Sequence, residues 1–236
     1  MTVIKRSLAL LAILVITTAL LAGCMEGGAN TNDSELANLS AGQHIYFGSY
    51  PQSSGTPEPI EWRVLEVKDG NALILSEKLL DCHVYDKKMR DTTWETCSLR
   101  KWMVGSFINK AFSAAEKERM IEVTNTNPAP PKEGNTGALF AEGGNDTADK
   151  VFCLSYDEVI KYIPDEDDRK TCPTQYATDK GVLSVDGNAD WWLRTQGYDN
   201  KWAMSVKPYG VINTDGHGVD TDYVGVRPAM WVSCGE

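Results

Sequence analysis

Apolar and polar positions alternate in short runs along most of this chain. His44 to Phe47 alternates and stops at Gly48-Ser49-Tyr50-Pro51-Gln52. After a Pro-rich loop from Thr56 to Pro59, the positions Trp62, Val64 and Val67 mark a strand within Glu61 to Val67. Asp69-Gly70 then separates it from the apolar run Ala72-Leu73-Ile74-Leu75. An Asp-Gly pair between two such runs predicts a hairpin. The last quarter repeats the pattern in Trp191 to Arg194, Trp202 to Val206, Val211 to Asn213 and Gly225 to Val232, and it holds four of the seven Trp. Strands joined by Gly-rich turns and carrying the largest apolar side chains predict the sheet on which the upstream chain packs.

Between these strand regions the period changes. From Thr93 onward, Trp94, Leu99, Trp102, Met103, Phe107 and Ile108 form an apolar helical stripe. Gly105 weakens its middle by ~1 kcal/mol relative to Ala. Ser113 with Glu116, and Ser155 with Glu158, are capping boxes that open two short helices, the second stopped before Pro164. Ile121 and Val123 read as a return strand, and Val151 to Leu154 as another. Asn125 to Lys150, rich in Pro, Gly and Asn, reads as a long surface excursion. Asp165 to Asp168 reads as a solvated loop, and Tyr176 to Lys180 as a helical turn closed by Gly181. The order predicts an α+β fold: short twisted antiparallel sheets, two or three helices and long irregular loops.

The first residues stand apart. Lys5 and Arg6 precede an apolar run from Leu8 to Leu21, shorter than the ~20 residues of a spanning helix. The run ends in Leu21-Ala22-Gly23-Cys24, which resembles the lipobox of bacterial lipoproteins. That resemblance implies cleavage before Cys24, a diacylglyceryl group on its sulfur, and anchoring at the extracytoplasmic face of the cell membrane. Residues 1–23 are then a signal peptide, 24–42 a flexible tether, and 43–236 a single domain. The chain has 33 acidic and 23 basic side chains, and losing Lys5 and Arg6 leaves 21 basic ones. This balance disfavours nucleic acid and anionic lipid as partners of the domain, so the membrane is met through the lipid alone. Five Cys follow Cys24. An exported protein can keep disulfides, and Cys82 with Cys97 is the favoured pair; the alternative is that all five are reduced. Cys153, in an apolar run, reads as a buried thiol.

Several segments together resemble one bacterial family, domain of unknown function 6273. They are Gly48-Ser-Tyr-Pro-Gln52, Ile60 to Leu65, Leu80-Asp-Cys82, Thr93 to Trp102, Val151 to Ser155, Trp191 to Arg194 and Gly225 to Ala229. The likeness spans about Gln43 to Val232. The Trp-rich strand, Gly turn and Val-Arg-Pro layout also resembles the C-type-lectin-like fold, shared by the formylglycine-generating enzymes and by surface adhesin modules. Neither resemblance carries an activity across.

Candidate chemistry is sparse. Trp202 beside Tyr198, Asp199 and Asn200 suits a sugar-binding face, with a ring for apolar sugar faces and polar groups for hydroxyls. Trp62, Trp102, Trp191 and Trp231 read as core anchors. Asn213 to Asp222 has oxygen ligands at alternate positions but fits an Asp-Gly turn better than a Ca²⁺ loop. His44, His83 and His217 share no motif spacing. Arg194 and Arg227 read as buried salt-bridge partners. No catalytic residue, metal or cofactor is implied. The expectation is a non-catalytic binding module for a glycan or a surface protein. The alternatives are a formylglycine-generating type of enzyme using Cys172 and Cys234, or a purely structural surface domain. Replacing Cys24 (C24S) is expected to abolish incorporation of labelled palmitate in the expressing cell; a C24S chain that still takes up the label overturns the lipobox reading.

Overall fold

The computed structural model describes residues 36, 38–53, 55–132 and 140–234. The leader, Cys24 and the tether through residue 35 lie outside these residues.

The chain opens with β1 (His44–Pro51), β2 (Pro57–Lys68) and β3 (Asn71–Ser76), paired antiparallel. The β2–β3 turn is the expected Asp69-Gly70, with φ of 51° and 74°. Positive φ at both positions matches the right-handed twist of the flanking strands. Ile60, Trp62 and Val64 alternate inward on β2, whereas β3 is buried on both faces from Ala72 to Ser76. β1 is irregular between Tyr46 and Ser49. Gly48 there has φ +70°, and a Cβ on it would meet the Phe112 ring at 2.5 Å.

After β4 (Asp81–Cys82) the helical stripe forms α1 (Ser98–Trp102), a π turn (Met103–Phe107) and α2 (Ile108–Ala111). It starts at Ser98 rather than Thr93, because Cys97 is the N-cap and its sulfur accepts from the Arg100 amide. Both capping boxes close, at α3 (Ala114–Arg119) and α4 (Tyr156–Tyr162). Between them come β5 (Met120–Ile121), β6 (Val123–Asn125) and β7 (Thr147–Asp149). The long excursion is therefore tied at its two ends by the β6–β7 pair. Buried Asp149 reinforces the tie: it accepts from Trp94, Arg100, Asn125 and Thr147.

The remaining elements are α5 (Glu166–Arg169), α6 (Gln175–Asp179), β8 (Ser184–Val185), β9 (Asn188–Ala189), β10 (Trp191–Gln196), β11 (Trp202–Val206), β12 (Ile212–Gly218), β13 (Gly225–Val226) and β14 (Ala229–Ser233). Among the described residues these build two five-stranded sheets, ordered β1-β2-β3-β14-β5 and β12-β11-β10-β13-β4. The architecture is α+β with curled, mostly antiparallel sheets. No helix among the described residues is long and apolar enough to cross a membrane.

Several expectations change. The Trp-rich strands do not share one sheet: β10 and β11 lie in the second, and β14 with Trp231 lies in the first. Val151 to Leu154 is no strand; Phe152 makes a single bridge to Ala229 while its neighbours pack as buried coil. Asp165 to Asp168 belongs to a helical turn, because the Asp165 carboxylate caps it by accepting from the Asp167 amide. Trp62 and Trp191 are core anchors, whereas Trp102 and Trp231 are only half-buried. Trp94 and Trp192 complete the fully buried set. Each of the four buried indole N–H groups has an acceptor: Phe47, Arg169 and His83 carbonyls for Trp62, Trp191 and Trp192, and Asp149 for Trp94. A buried indole needs such a partner.

The two sheets join where β3 runs on to β4 and β13 runs on to β14. Arg227 sits in that corner, fully buried. Its guanidinium donates to the carbonyls of Ser76, Arg169 and Glu77 at 2.9, 3.2 and 3.5 Å, and lies 5.1 Å from the Trp191 ring centre. Among the described residues it has no direct carboxylate partner, contrary to the salt bridge expected; carbonyl dipoles hold it. Burial pulls its pKa down to about 9, with Glu77 pulling the other way, so it stays charged at pH 7. Arg194 does pair as expected, with Glu158. Arg227→Met strands buried acceptors, each costing about 1–3 kcal/mol. Urea unfolding at pH 7 should show a loss of at least about 3 kcal/mol, and a loss below about 1 kcal/mol would contradict this role.

Candidate binding cleft

The cleft is shaped by how residues 81–92 are fixed. Tyr85 is fully buried; its hydroxyl donates to the Arg194 carbonyl at 2.8 Å and its ring meets Trp192 edge-on at 5.6 Å. The Asp86 amide donates to the Val219 carbonyl, and the Thr92 amide to the Asn200 carbonyl. Between these two anchors the chain is pushed outward, so Lys87, Lys88, Met89, Arg90 and Asp91 form an exposed lip. Facing the lip is α1 with the π turn. Ser98 and Lys101, and Ser98 and Trp102, are three and four residues apart, which puts all three on one helix face.

Lip and helix enclose an open cleft of ≈ 560 Å³. At its base the His83 ring stacks on Trp102, centres 3.9 Å apart and tilted by 32°. Four cationic side chains line it, Lys87, Lys88, Arg90 and Lys101, against the single carboxylate of Asp86. That carboxylate turns inward, accepting from Arg90 Nε at 2.7 Å and the Ser98 amide at 3.0 Å. Burial alone would raise the Asp86 pKa; the Arg90 side chain and the Ser98 and Lys87 amides outweigh it and hold the carboxyl below its ordinary range. Among the described residues Lys87, Lys88 and Lys101 make no ion pair. Beneath the ring pair lies buried Asp81, which accepts from the Tyr50 hydroxyl at 2.6 Å and the Cys82 amide at 2.7 Å and faces His83 at 3.6 Å. Burial would raise the Asp81 pKa too, and its contacts with His83, Tyr50 and Cys82 lower it overall.

The expected sugar-binding residues are brought together beside this cleft, not in it. Tyr198, Asp199 and Asn200 form the β10–β11 connection, and Trp202 starts β11. Tyr198 and Trp202 are 42% and 38% exposed, and the exposed Phe140 ring lies 5.6 Å from Tyr198. The polar pair is already engaged: Asp199 accepts from the Lys201 amide, and Asn200 Oδ1 from the Glu142 amide. They shape the turn. Trp202 pairs across the sheet with Gly218, and a Cβ on Gly218 would lie 2.7 Å from Met89 Cε. The lip thus separates the Trp202 surface from the cleft. The basic run Lys87-Lys88-Met89-Arg90, in an otherwise acidic chain, was the available sequence signal for the cleft.

Cys82 and Cys97 do not form the expected bridge; both are free thiols. The Cys82 sulfur lies 3.1 Å from the Asp222 carbonyl, and the Cys97 sulfur caps α1. Burial pushes the Cys82 thiol up to about 11 and the Cys97 thiol up to about 12, so both are protonated at neutral pH. Cys153 is a buried thiol, as expected. Cys234 lies beside Gly70 and exposed Cys172 beside Leu79, at opposite ends of β3. A strand of that length separates them by roughly 20 Å, too far for joint chemistry. The segment expected as an Asp-Gly turn is mostly strand β12, in which Gly216, at φ +81°, packs against the Ala203 carbonyl. Among the described residues no group of three or more His, Cys, Asp or Glu could hold a metal ion.

A second, smaller cavity lies between residues 126–131 and 194–196, with only ≈ 20 Å³ for the centres of water molecules. Asn127 Oδ1, Arg194 Nε and Gln196 Nε2, buried at its edge, have no hydrogen-bond partner among the described residues. The space suits about one water.

The model of a family described as "Domain of unknown function (DUF6273)" matches residues 69–234. The match begins at the β2–β3 turn, later than the Gln43 expected from the first two motifs. No curated protein and no solved structure matches the chain.

Asp86→Asn should lower stability by about 1–3 kcal/mol at pH 7, since a buried acceptor for Arg90 and the Ser98 amide loses its charge. The folded-state pKa is depressed, so the contribution is full above the ordinary carboxylate range and is lost as pH falls from there through the lower folded-state value. The gap between parent and variant in thermal midpoint should therefore start to narrow as pH falls below about 4 and shrink further at lower pH; a gap as wide at about pH 2 as at pH 7 contradicts the assignment.

Proposed function

The chain belongs to the DUF6273 family, and from that premise we propose that it is a non-catalytic recognition module, lipid-anchored through Cys24 at the extracytoplasmic face, that binds glycan in the cleft between the lip and α1. The observation that carries this reading is the ≈ 560 Å³ opening floored by the His83–Trp102 ring pair. Its volume is in the range of small-ligand sites. A half-buried indole at the base offers a face for the apolar side of a sugar ring, and the lysines and Ser98 and Ser106 at the walls offer donors for hydroxyls. We take the fold as C-type-lectin-like, supported by two curled sheets and by loops 86–92, 199–201 and 218–221 that meet at one place. That likeness alone names no ligand.

Calorimetric titration of the mature domain with a panel of neutral and charged oligosaccharides tests the reading. At least one sugar should bind, and Trp102→Ala should weaken it at least tenfold with an unchanged circular dichroism spectrum. A panel without a binder, or a Trp102→Ala variant that binds like the parent, overturns it.

A further inference from the structure

We propose that the glycan is polyanionic: a sugar chain carrying phosphate or carboxylate groups, with its anions in the cleft and neighbouring sugar rings continuing over the lip onto Trp202. The inference rests on the cleft being the glycan site and adds the charge and the length of the ligand.

The charge argument starts from contrast. The chain carries 33 acidic and 23 basic side chains, yet the cleft gathers four cations against one carboxylate. That carboxylate already holds Arg90 and the Ser98 amide. Lys87, Lys88 and Lys101 remain exposed and without an ion pair among the described residues. Three unneutralised ammonium groups round one concavity focus a positive potential on a chain whose net charge is −10. An anion entering the cleft meets all three.

The length argument comes from the neighbouring rings. Met89, Phe140, Tyr198 and Trp202 are 50, 65, 42 and 38% exposed. They fall in two pairs beside one turn: Phe140 touches Tyr198, and Met89 lies against Gly218, the cross-strand partner of Trp202, while Tyr198 and Trp202 flank the β10–β11 connection. An apolar surface beginning where a charged cleft ends suits a polymer whose repeat alternates anion and sugar face. A nucleic-acid duplex would need a basic stripe along a face, and a membrane a broad basic surface; the positive charge here is confined to the walls of one cleft on a net-acidic chain.

The test is titration of the mature domain with a phosphomannan fragment, an oligogalacturonate, neutral mannohexaose, inorganic phosphate and phosphatidylglycerol vesicles. One or both anionic glycans should bind at least tenfold more tightly than mannohexaose and than phosphate alone. Comparing the two glycans separates phosphate from carboxylate as the source of charge. Raising NaCl from about 50 to about 200 mM should weaken binding roughly fivefold or more, because the contacts are screened. The triple variant K87E/K88E/K101E should lose at least tenfold at an unchanged thermal midpoint. Trp202→Ala should weaken the glycan severalfold while leaving phosphate binding and the salt dependence as they were. Mannohexaose binding as well as the anionic glycans, sensitive to Trp102→Ala but not to the triple variant, overturns this proposal and leaves the cleft as a glycan site. Preference for the vesicles over every sugar overturns both.

Discussion

Two curled sheets can share one core only if the corner where the chain passes between them is chemically complete. Strands end there, and carbonyls that a neighbouring strand would have paired are left pointing inward. Arg227 resolves this with a single side chain. One planar guanidinium reaches the exit of β3 at Ser76 and Glu77, and the end of α5 at Arg169, while its face rests on Trp191. A lysine offers donors but not the fixed fork. A buried charge without a counter-ion is costly in general, and here three carbonyl dipoles together with nearby Glu77 take the place of an ion pair. The Gly-Val-Arg-Pro-Ala segment thereby has a physical meaning. Gly225 allows Leu79 to approach, Arg227 seals the corner, and the Pro228 carbonyl accepts from Ser76.

The same core positions the outer cleft. Trp192 and Tyr85 lie in the interior and tie the loop that leaves β4 to β10: the Trp192 N–H donates to the His83 carbonyl, and the Tyr85 hydroxyl of the loop donates to the Arg194 carbonyl. With Asp86 and Thr92 also tied, the residues between have no inward route. The lysines stand outward because their backbone is fixed at both ends. Asp86 does two jobs, since it anchors the start of α1 and orients Arg90 on the rim. A negative group buried at the root of a positive lip fixes the geometry without cancelling the field of the three free lysines.

Much of the local structure follows from short-range chemistry. The Asp69-Gly70 turn and the two capping boxes form where the residues place them, because each is satisfied within about four residues. Failures occur where distant groups decide. Val151 to Leu154 has the composition of a strand, but only Phe152 finds a partner, at Ala229. Asp165 to Asp168 looks like solvated coil until the Asp165 cap closes a turn. Cys82 and Cys97 have suitable sequence spacing for a bridge, yet one faces Asp222 and the other caps a helix. Trp202 was legible as an exposed ring, whereas Asp199 and Asn200 are held by Lys201 and Glu142, contacts no spacing reveals.

By itself the amino-acid order determined the α+β class, the hairpin, the capped helices, the indole-rich core and the family, since these rest on local periodicity and on residue types with few alternatives. Only the tertiary structure decided which sheet each late strand joins, that Arg227 closes the seam through carbonyls, and that Lys87, Lys88 and Arg90 face Lys101 and Trp102 across a cleft. Those are relations between groups brought together by packing. A chain read in one dimension gives the charge and size of each side chain, but the field they produce depends on distances that only the folded core sets.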